Sequence, residues 1–186
     1  MNTITKIFSV SITALFLTGT AYAEQIDDEG ELNPEELSIA YMADQLEAGR
    51  NSGPMIGVHG YKAAHCGDFK TARRIFKYLA DRGNTQAMAW MSWADDNGLG
   101  APENPAAATE WNRLAMERGD AIGTYNYGLA LMRGRGVEQN IFEGRRYIDK
   151  AAALGDESAL VLASNNYKIG IATPDADNWK YDQYLY

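Results

Sequence analysis

The sequence is poor in the residue types that build metal centres, disulfide frameworks and β-sheets. It has one cysteine and two histidines in 186 residues, which excludes an intramolecular disulfide framework and a four-cysteine zinc site. It has four valines but 27 alanines, a balance that favours helices over sheets. Its 25 acidic residues outnumber its 17 lysines and arginines. The formal net charge of −8 argues against nucleic acid as a partner, because affinity for nucleic acid comes largely from cations on phosphates.

Only the N-terminus carries an extended apolar run. Lys6 precedes the run, and small residues follow it at Ala21 and Ala23, which is the build of a secretory signal peptide. The alternative is a membrane anchor, but the run is shorter than the roughly 20 residues that span a bilayer. The sequence therefore predicts that residues 1–23 are a signal peptide and that the mature chain begins at Glu24. It predicts a periplasmic or secreted protein with no membrane insertion after cleavage.

Three segments repeat with a spacing of 36 residues, and each has the ends of a helix. They are residues 68–83, 104–119 and 140–155. Each opens with Asp or Asn, which caps a helix by accepting from free backbone N–H groups, and each closes with Gly, which supplies a left-handed stop. Trp111 stands at a large apolar position, which predicts a packing role. Gly144 stands at a small position, where Ala would favour the helix if space allows.

A second helical stretch precedes each of these segments and ends in a glycine loop. The loop positions are Gly98 and Gly100, then Gly134 and Gly136, and in a third copy Gly170 and Ala172. We interpret the loops as turns, because they follow helices and lack the lysine of a phosphate-binding loop. Each unit is thus helix A, a glycine loop, helix B and a glycine stop, and such units must stack to bury their apolar faces.

The repeated pattern resembles the Sel1-like repeat family, a longer-looped relative of the tetratricopeptide repeat. The stretch YGLALMRGRGV, Tyr127 to Val137, carries the helix A pattern of that family, and the three helix B segments carry its helix B pattern. The resemblance covers residues 54–175. It implies an all-α, right-handed solenoid of about three and a half helix pairs. The first unit lacks the extra loop residues, and Asp95 stands where the family usually has Tyr.

The resemblance also implies a function. Members of this family commonly act as protein-binding adaptors, scaffolds or regulators of envelope signalling and assembly. We expect the same of this chain, with a protein partner, no cofactor and no enzyme activity. One alternative is an enzyme, since some secreted members are linked to cell-wall or β-lactam chemistry, although those have paired cysteines in each unit. The other alternative is a structural or chaperone-like envelope component.

Both ends of the repeat region have capping features. Residues 24–33 carry five acidic residues and no basic one, which predicts a solvated, flexible arm. Residues 34–49 have the pattern of an N-terminal capping helix, with Asn33 as N-cap and Pro34 at the first helical position. Residues 176–186 begin like a helix B but are short, which predicts a truncated C-terminal capping helix.

The few candidate chemical groups do not form a recognisable catalytic or metal site. His59 and His65 are six residues apart, so they point about 240° apart on a helix, and we predict no metal site. The sequence lacks a nucleophile elbow, a zinc-protease motif and a calcium loop, so we predict no catalytic residues. Cys66 is interpreted as a small buried residue, with a thiol for intermolecular pairing as the alternative. Arg133 and Arg135 are interpreted as solvated side chains or as contacts to carboxylates of a partner.

In helix-pair solenoids of this kind, helix A lines the concave face. Helical spacing from the small residue of each helix A then predicts a partner-binding groove. Its residues are Tyr61, His65, Trp93, Asp96, Tyr125, Leu129, Met132, Arg133, Val161, Asn165 and Lys168. The apolar members are expected to form a stripe edged by cations, the kind of cluster that dominates interface energetics. The alternative is that these side chains fill the inner face and bind nothing.

Overall fold

Two ranges of the chain, 38–50 and 55–172, are described by the computed structural model, and every regular element in them is helical. The elements are α1 (Ile39–Glu47), α2 (Ile56–His65), α3 (Phe69–Asp81), α4 (Thr85–Asp96), α5 (Pro105–Glu117), α6 (Ala121–Arg133), α7 (Ile141–Ala153), α8 (Glu157–Ser164) and a 3₁₀ turn (Ile169–Ile171). Helices α2, α4, α6 and α8 are the helices A, and α3, α5 and α7 are the helices B. The predicted signal peptide 1–23, acidic arm 24–33 and C-terminal helix 176–186 lie outside these ranges.

From α2 onward, each helix packs mainly on the helices before and after it in the chain, while α1 rests on α3. Packing between sequence neighbours is the arrangement of an α-solenoid. The all-helical solenoid of helix pairs predicted from the repeats is therefore confirmed. Within the two described ranges, the helices are all too short or too polar to cross a membrane.

The ends of the helices B follow the repeated capping residues. The side chains of Asp68, Asn104 and Asn140 each accept a hydrogen bond from the backbone N–H three residues on, at 3.0 to 3.1 Å. After each helix B, the chain turns at a glycine with φ between +78° and +94°. This left-handed backbone costs other L-residues about 1–2 kcal/mol. The helix ends predicted at these positions are confirmed.

The glycine loops are turns in which the second glycine touches the preceding helix B. Gly136 has φ +68°, and a Cβ there would collide with the carbonyl oxygen of Pro105 at the start of α5. A Cβ on Gly100 would lie 2.7 Å from the carbonyl carbon of Phe69 at the start of α3. The loop of one unit thereby stacks on the first turn of helix B of the unit before it, so these glycines allow the units to stack closely.

Two apolar clusters form most of the core in the described part of the chain. In the first, Phe76 of α3 stacks on Trp90 of α4 with ring centroids 4.3 Å apart. In the second, Ile148 of α7 is fully buried against α6. The backbones of α6 and α7 approach closely there, because a Cβ on Gly144 would lie only 2.8 Å from the carbonyl oxygen of Gly128.

Helix α1 begins later than the sequence predicts. Ser38 has extended backbone with ψ 143°, and its hydroxyl accepts a hydrogen bond from the backbone N–H three residues on at 3.0 Å. Ser38 is therefore the N-cap, whereas the predicted cap Asn33 lies outside the described residues. Arg74 of α3 donates hydrogen bonds to the carboxylates of Asp44 and Glu47 at 2.5 to 2.7 Å. These bonds attach α1 to the first repeat, and the bond from Arg74 lowers the pKa of Glu47.

The fourth unit departs from the predicted pattern. Helix α8 ends at Ser164, and Asn166 and Tyr167 both adopt φ +56°. Helix α8 therefore stops about one helical turn earlier in its unit than α6 does. A 3₁₀ turn then replaces the glycine loop predicted at Gly170 and Ala172. The last helix A in the described part of the chain is therefore shorter than the others.

Candidate functional site

A cavity of about 550 Å³ lies between α4, α5, α6 and the start of α8. Its inner wall includes Tyr125 and Leu129 of α6, which are 6% and 8% exposed. Two large apolar side chains beside it face solvent, Trp93 of α4 at 42% and Ile122 of α6 at 56% exposure. We call this cavity the central groove. Its polar lining residues are Ser92, Asp96, Asn97, Thr109, Asn112, Asn126, Arg133, Arg135, Asp156 and Ser158.

Five of the eleven predicted groove residues line the central groove. They are Trp93, Asp96, Tyr125, Leu129 and Arg133. All five come from α4 and α6, the helices A of the second and third units. The structure therefore brings together predicted groove residues of the second and third units.

Met132 does not line the groove. It is 2% exposed and belongs to the same core cluster as Ile148, and its Cγ would lie 2.5 Å from a Cβ on Gly144. Helix α6 is covered by α7 on this side, so Met132 packs between two helices. The apolar stripe predicted along α6 consequently ends at Leu129.

The remaining five predicted groove residues lie away from the central groove. Tyr61 and His65 are exposed on α2, and Val161 is exposed on α8. Helical spacing places Asn165 and Lys168 on α8 as well, but α8 ends before both. The early end of α8 is the reason that helical spacing fails there.

An ion-pair network borders the groove at the end of α4. Arg135 donates hydrogen bonds to Asp96 at 3.0 Å and to Glu103 at 2.6 Å, and its side chain is 13% exposed. The hydroxyl of Thr109 donates to the carbonyl oxygen of Arg135 at 2.8 Å. The sequence predicts that Arg135 is solvated or contacts a carboxylate of a partner, but the glycine loop turns this side chain back onto Asp96 of α4. Arg135 therefore joins the loop to the helices around the groove.

Asn112 is a groove residue that sequence reasoning missed. It lies on α5 at the repeat position held by Phe76 in α3 and by Ile148 in α7. It is 8% exposed, and its buried Oδ1 accepts no hydrogen bond from the described residues. A buried acceptor without a donor costs about 1–3 kcal/mol. A polar residue kept at a core position at such a cost is a candidate for a functional contact.

A second buried polar residue, Asp95, has partners in its own chain. It is 4% exposed, and its carboxylate accepts hydrogen bonds from Arg73 at 2.6 Å and from the indole N–H of Trp111 at 2.9 Å. These bonds join α3, α4 and α5. They account for an acidic residue at the position where the Sel1-like pattern usually has Tyr, and Trp111 packs against the first core cluster as predicted.

Cys66 is exposed, so the prediction that it is buried is wrong. It directly follows α2, and Gly67 then turns the chain with φ +79°. The thiol therefore lies at the turn into α3 instead of between helices. Among residues 38–50 and 55–172, no three His, Cys, Asp or Glu side chains are grouped so that they could hold a metal ion.

The stacked helix pairs define a helical-repeat solenoid. A Sel1 repeat protein from Oxalobacter formigenes is similar in structure, with a TM-score of 0.50 and 18% identity, over 81% of this chain and 97% of that one. The protective antigen c5321 of uropathogenic Escherichia coli, which displays an SLR fold, has a TM-score of 0.51 and 22% identity, over 81% of this chain and 28% of that one. The chain therefore has the Sel1-repeat fold.

A similarity in sequence covers about half of this chain. The DAP3-binding cell death enhancer 1 of Rattus norvegicus is 28% identical over 100 residues, which are 54% of this chain and 19% of that protein. This chain thus spans about a fifth of the length of that curated relative. No protein-family model matches the chain.

Proposed function

We propose that this chain is a protein-binding solenoid that holds an uncharged, apolar segment of a partner protein in the central groove. The observation that carries the proposal is the pair of large apolar side chains beside the groove, Trp93 and Ile122, which are 42% and 56% exposed. Covering such surface is favourable by about 25 cal/mol per Å². Aromatic residues beside a cavity are also typical energetic centres of protein interfaces.

The charges of the groove favour an uncharged segment. Two acidic side chains, Asp96 and Asp156, are balanced by two basic ones, Arg133 and Arg135. Asp96 is held by Arg135 at 3.0 Å, and Asp156 caps α8 through a hydrogen bond from the Ala159 N–H at 2.7 Å. Both carboxylates thus serve structural contacts, which supports an adaptor, scaffold or regulator more than a catalyst. The name of the rat relative, DAP3-binding, supports protein binding as the proposed role of this chain.

We propose that the protein acts in the periplasm or after secretion, and that its partner belongs to the cell envelope. The support is the pattern of residues 1–23, a short basic start, an apolar run and small residues before Glu24. We expect N-terminal sequencing of the exported protein to begin at Glu24. A variant with Ala21→Arg and Ala23→Arg should retain the segment, since cleavage needs small residues there. An exported wild-type protein that still begins at Met1 contradicts the proposal.

Photo-crosslinking in the cells that make the protein tests the groove itself. We expect the full chain with Trp93→benzoylphenylalanine to give a discrete crosslinked partner. Phe142→benzoylphenylalanine is the matched control, because Phe142 is 76% exposed at the start of α7 and does not line the groove. Equal crosslinking from the two positions, or none from position 93, counts against partner binding in the groove.

A further inference from the structure

We infer that residues 173–186 of the same chain occupy the central groove as an extended segment until a partner displaces them. These residues lie outside the described ranges. Three features support them as the occupant: the point where the chain leaves the described residues, the reach of the segment and the side chains that it carries. Competition with a partner rests on the proposed function, whereas occupancy of the groove can be measured on the protein alone.

The chain leaves its last described residue beside the groove. That residue, Ala172, is 3% exposed and belongs to the same core cluster as Tyr125 and Leu129, which form the inner wall of the groove. Its backbone is extended, with φ −53° and ψ 131°, and Pro174 disfavours helical backbone at the residue before it. We therefore expect the following residues to continue from the groove wall as extended chain.

The reach of an extended segment matches the width of the groove. Packed helices lie about 8–10 Å apart, so α4 is about 20 Å from α8, with α6 between them. Seven residues of extended chain span about 23 Å, which is enough to bring Trp179 from the position of Ala172 to Trp93 on α4. The same seven residues would span only about 10 Å as a helix. An extended segment can therefore cross the groove, whereas a helical one cannot.

The side chains of the segment suit the groove. Four of its fourteen residues are aromatic, compared with 11% of the whole chain. Successive side chains of an extended segment point in opposite directions, so Trp179 and Tyr181 share one side, and Lys180 and Asp182 share the other. The aromatic side can cover the exposed apolar side chains beside the groove, while the two opposite charges stay in solvent.

Attachment to the chain makes a weak contact sufficient. A short tether gives an effective concentration of about 1 mM. If the segment binds with a Kd of about 100 μM, it occupies the groove about nine-tenths of the time. An outside segment then binds about tenfold more weakly than it would bind an open groove.

The first experiment crosslinks the purified full chain without a partner. We expect Trp93→benzoylphenylalanine to crosslink to residues 173–186 of the same molecule, with a yield that stays constant on dilution by about 100-fold. Phe142→benzoylphenylalanine is the matched control, because Phe142 is 76% exposed and does not line the groove. It should give no such crosslink. Mass spectrometry of the digested protein identifies the crosslinked peptides.

The second experiment measures competition with a labelled synthetic peptide of residues 173–186. We expect the full chain with Trp179→Ala and Tyr181→Ala to bind the peptide about tenfold more tightly than the wild type, because its own segment no longer closes the groove. Lys180→Ala with Asp182→Ala is the matched control, since these residues share the opposite side of the segment, and it should bind like the wild type. Adding Trp93→Ala to the first variant should weaken binding at least tenfold.

The inference is overturned if position 93 gives no crosslink to residues 173–186, or if the yield falls in proportion to dilution, as it would for the segment of a second copy. It is also overturned if Leu160→benzoylphenylalanine on α8 gives the crosslink and position 93 does not, as a capping helix packed on α8 would. Equal peptide affinity of the wild type and the Trp179→Ala, Tyr181→Ala variant overturns it as well.

These results leave the proposed function standing, because the crosslinking in cells tests it separately. A crosslink from position 93 to the segment, with no crosslinked partner in cells, has the opposite meaning. It overturns the proposed function, and the competition with it, while the segment remains the occupant of the groove.

Discussion

Gly144→Leu is expected to lower the free energy of unfolding by about 3 kcal/mol or more. The reason is the close approach of α6 and α7, where a Cβ on Gly144 would lie 2.5 Å from the Cγ of Met132 and 2.8 Å from the carbonyl oxygen of Gly128. A side chain there forces the two helices apart, and Met132 is fully buried, so it has no solvent to move into. Urea unfolding followed by circular dichroism measures the loss.

Gly144→Ala tests the same packing with a smaller change. Helix propensity alone would make Ala stabilising by up to about 1 kcal/mol, but the contacts of Gly144 predict a loss of about 1–2 kcal/mol. Ala153→Leu is the matched control, since Ala153 is exposed at the end of the same helix, and it should change stability by less than about 0.5 kcal/mol. A neutral Gly144→Leu would mean that α6 and α7 do not pack at this register.

Asp95→Ala is the second substitution with a large expected effect, a loss of about 3 kcal/mol in the free energy of unfolding. The side chains of Arg73 and Asp95 are 19% and 6% exposed and lie 2.6 Å apart. Removing the carboxylate leaves a largely buried guanidinium without its counterion and deprives the indole N–H of Trp111 of its acceptor. Chemical denaturation of the variant and the wild type at neutral pH gives the difference.

The double variant Arg73→Met with Asp95→Leu separates an uncompensated charge from lost packing. We expect it to recover at least half of the loss, because replacing both partners by apolar residues leaves no buried charge. Asp81→Ala is the matched control. Its carboxylate pairs with Lys77 on the exposed side of α3, so its removal should cost less than about 1 kcal/mol. Equal losses for Asp81→Ala and Asp95→Ala contradict the role given to Asp95.

Much of the fold could be predicted because residues within one turn of each helix end decide where the helix begins and stops. Asp or Asn side chains that accept from the backbone and glycines with left-handed backbone act within one helical turn, and they recur every 36 residues. The end of α8 could not be predicted in this way. There the left-handed residues are Asn166 and Tyr167, neither of which is the glycine that marks the other helix ends.

The candidate site was predicted less well, because burial depends on both neighbours of a helix. Helical spacing correctly puts Leu129 and Met132 on α6, but α7 covers Met132, whereas the groove lies on the side of α6 that carries Leu129. Whether Gly144→Ala raises or lowers the free energy of unfolding likewise depends on the distance between α6 and α7, which no sequence pattern contains. Asn112 was within reach of sequence reasoning, since comparison with Phe76 and Ile148 shows a polar residue at a core position.

The most direct test of the central claim is the dissociation constant of the crosslinked partner segment for three forms of the full chain. Trp93→Ala with Ile122→Ala should bind roughly 100-fold more weakly than the wild type, as expected for two interface anchors. Both residues are exposed, so the helical circular dichroism and melting temperature should stay nearly unchanged. Phe142→Ala should bind like the wild type. Unchanged affinity of the double variant, or an equal loss for Phe142→Ala, contradicts partner binding in the central groove.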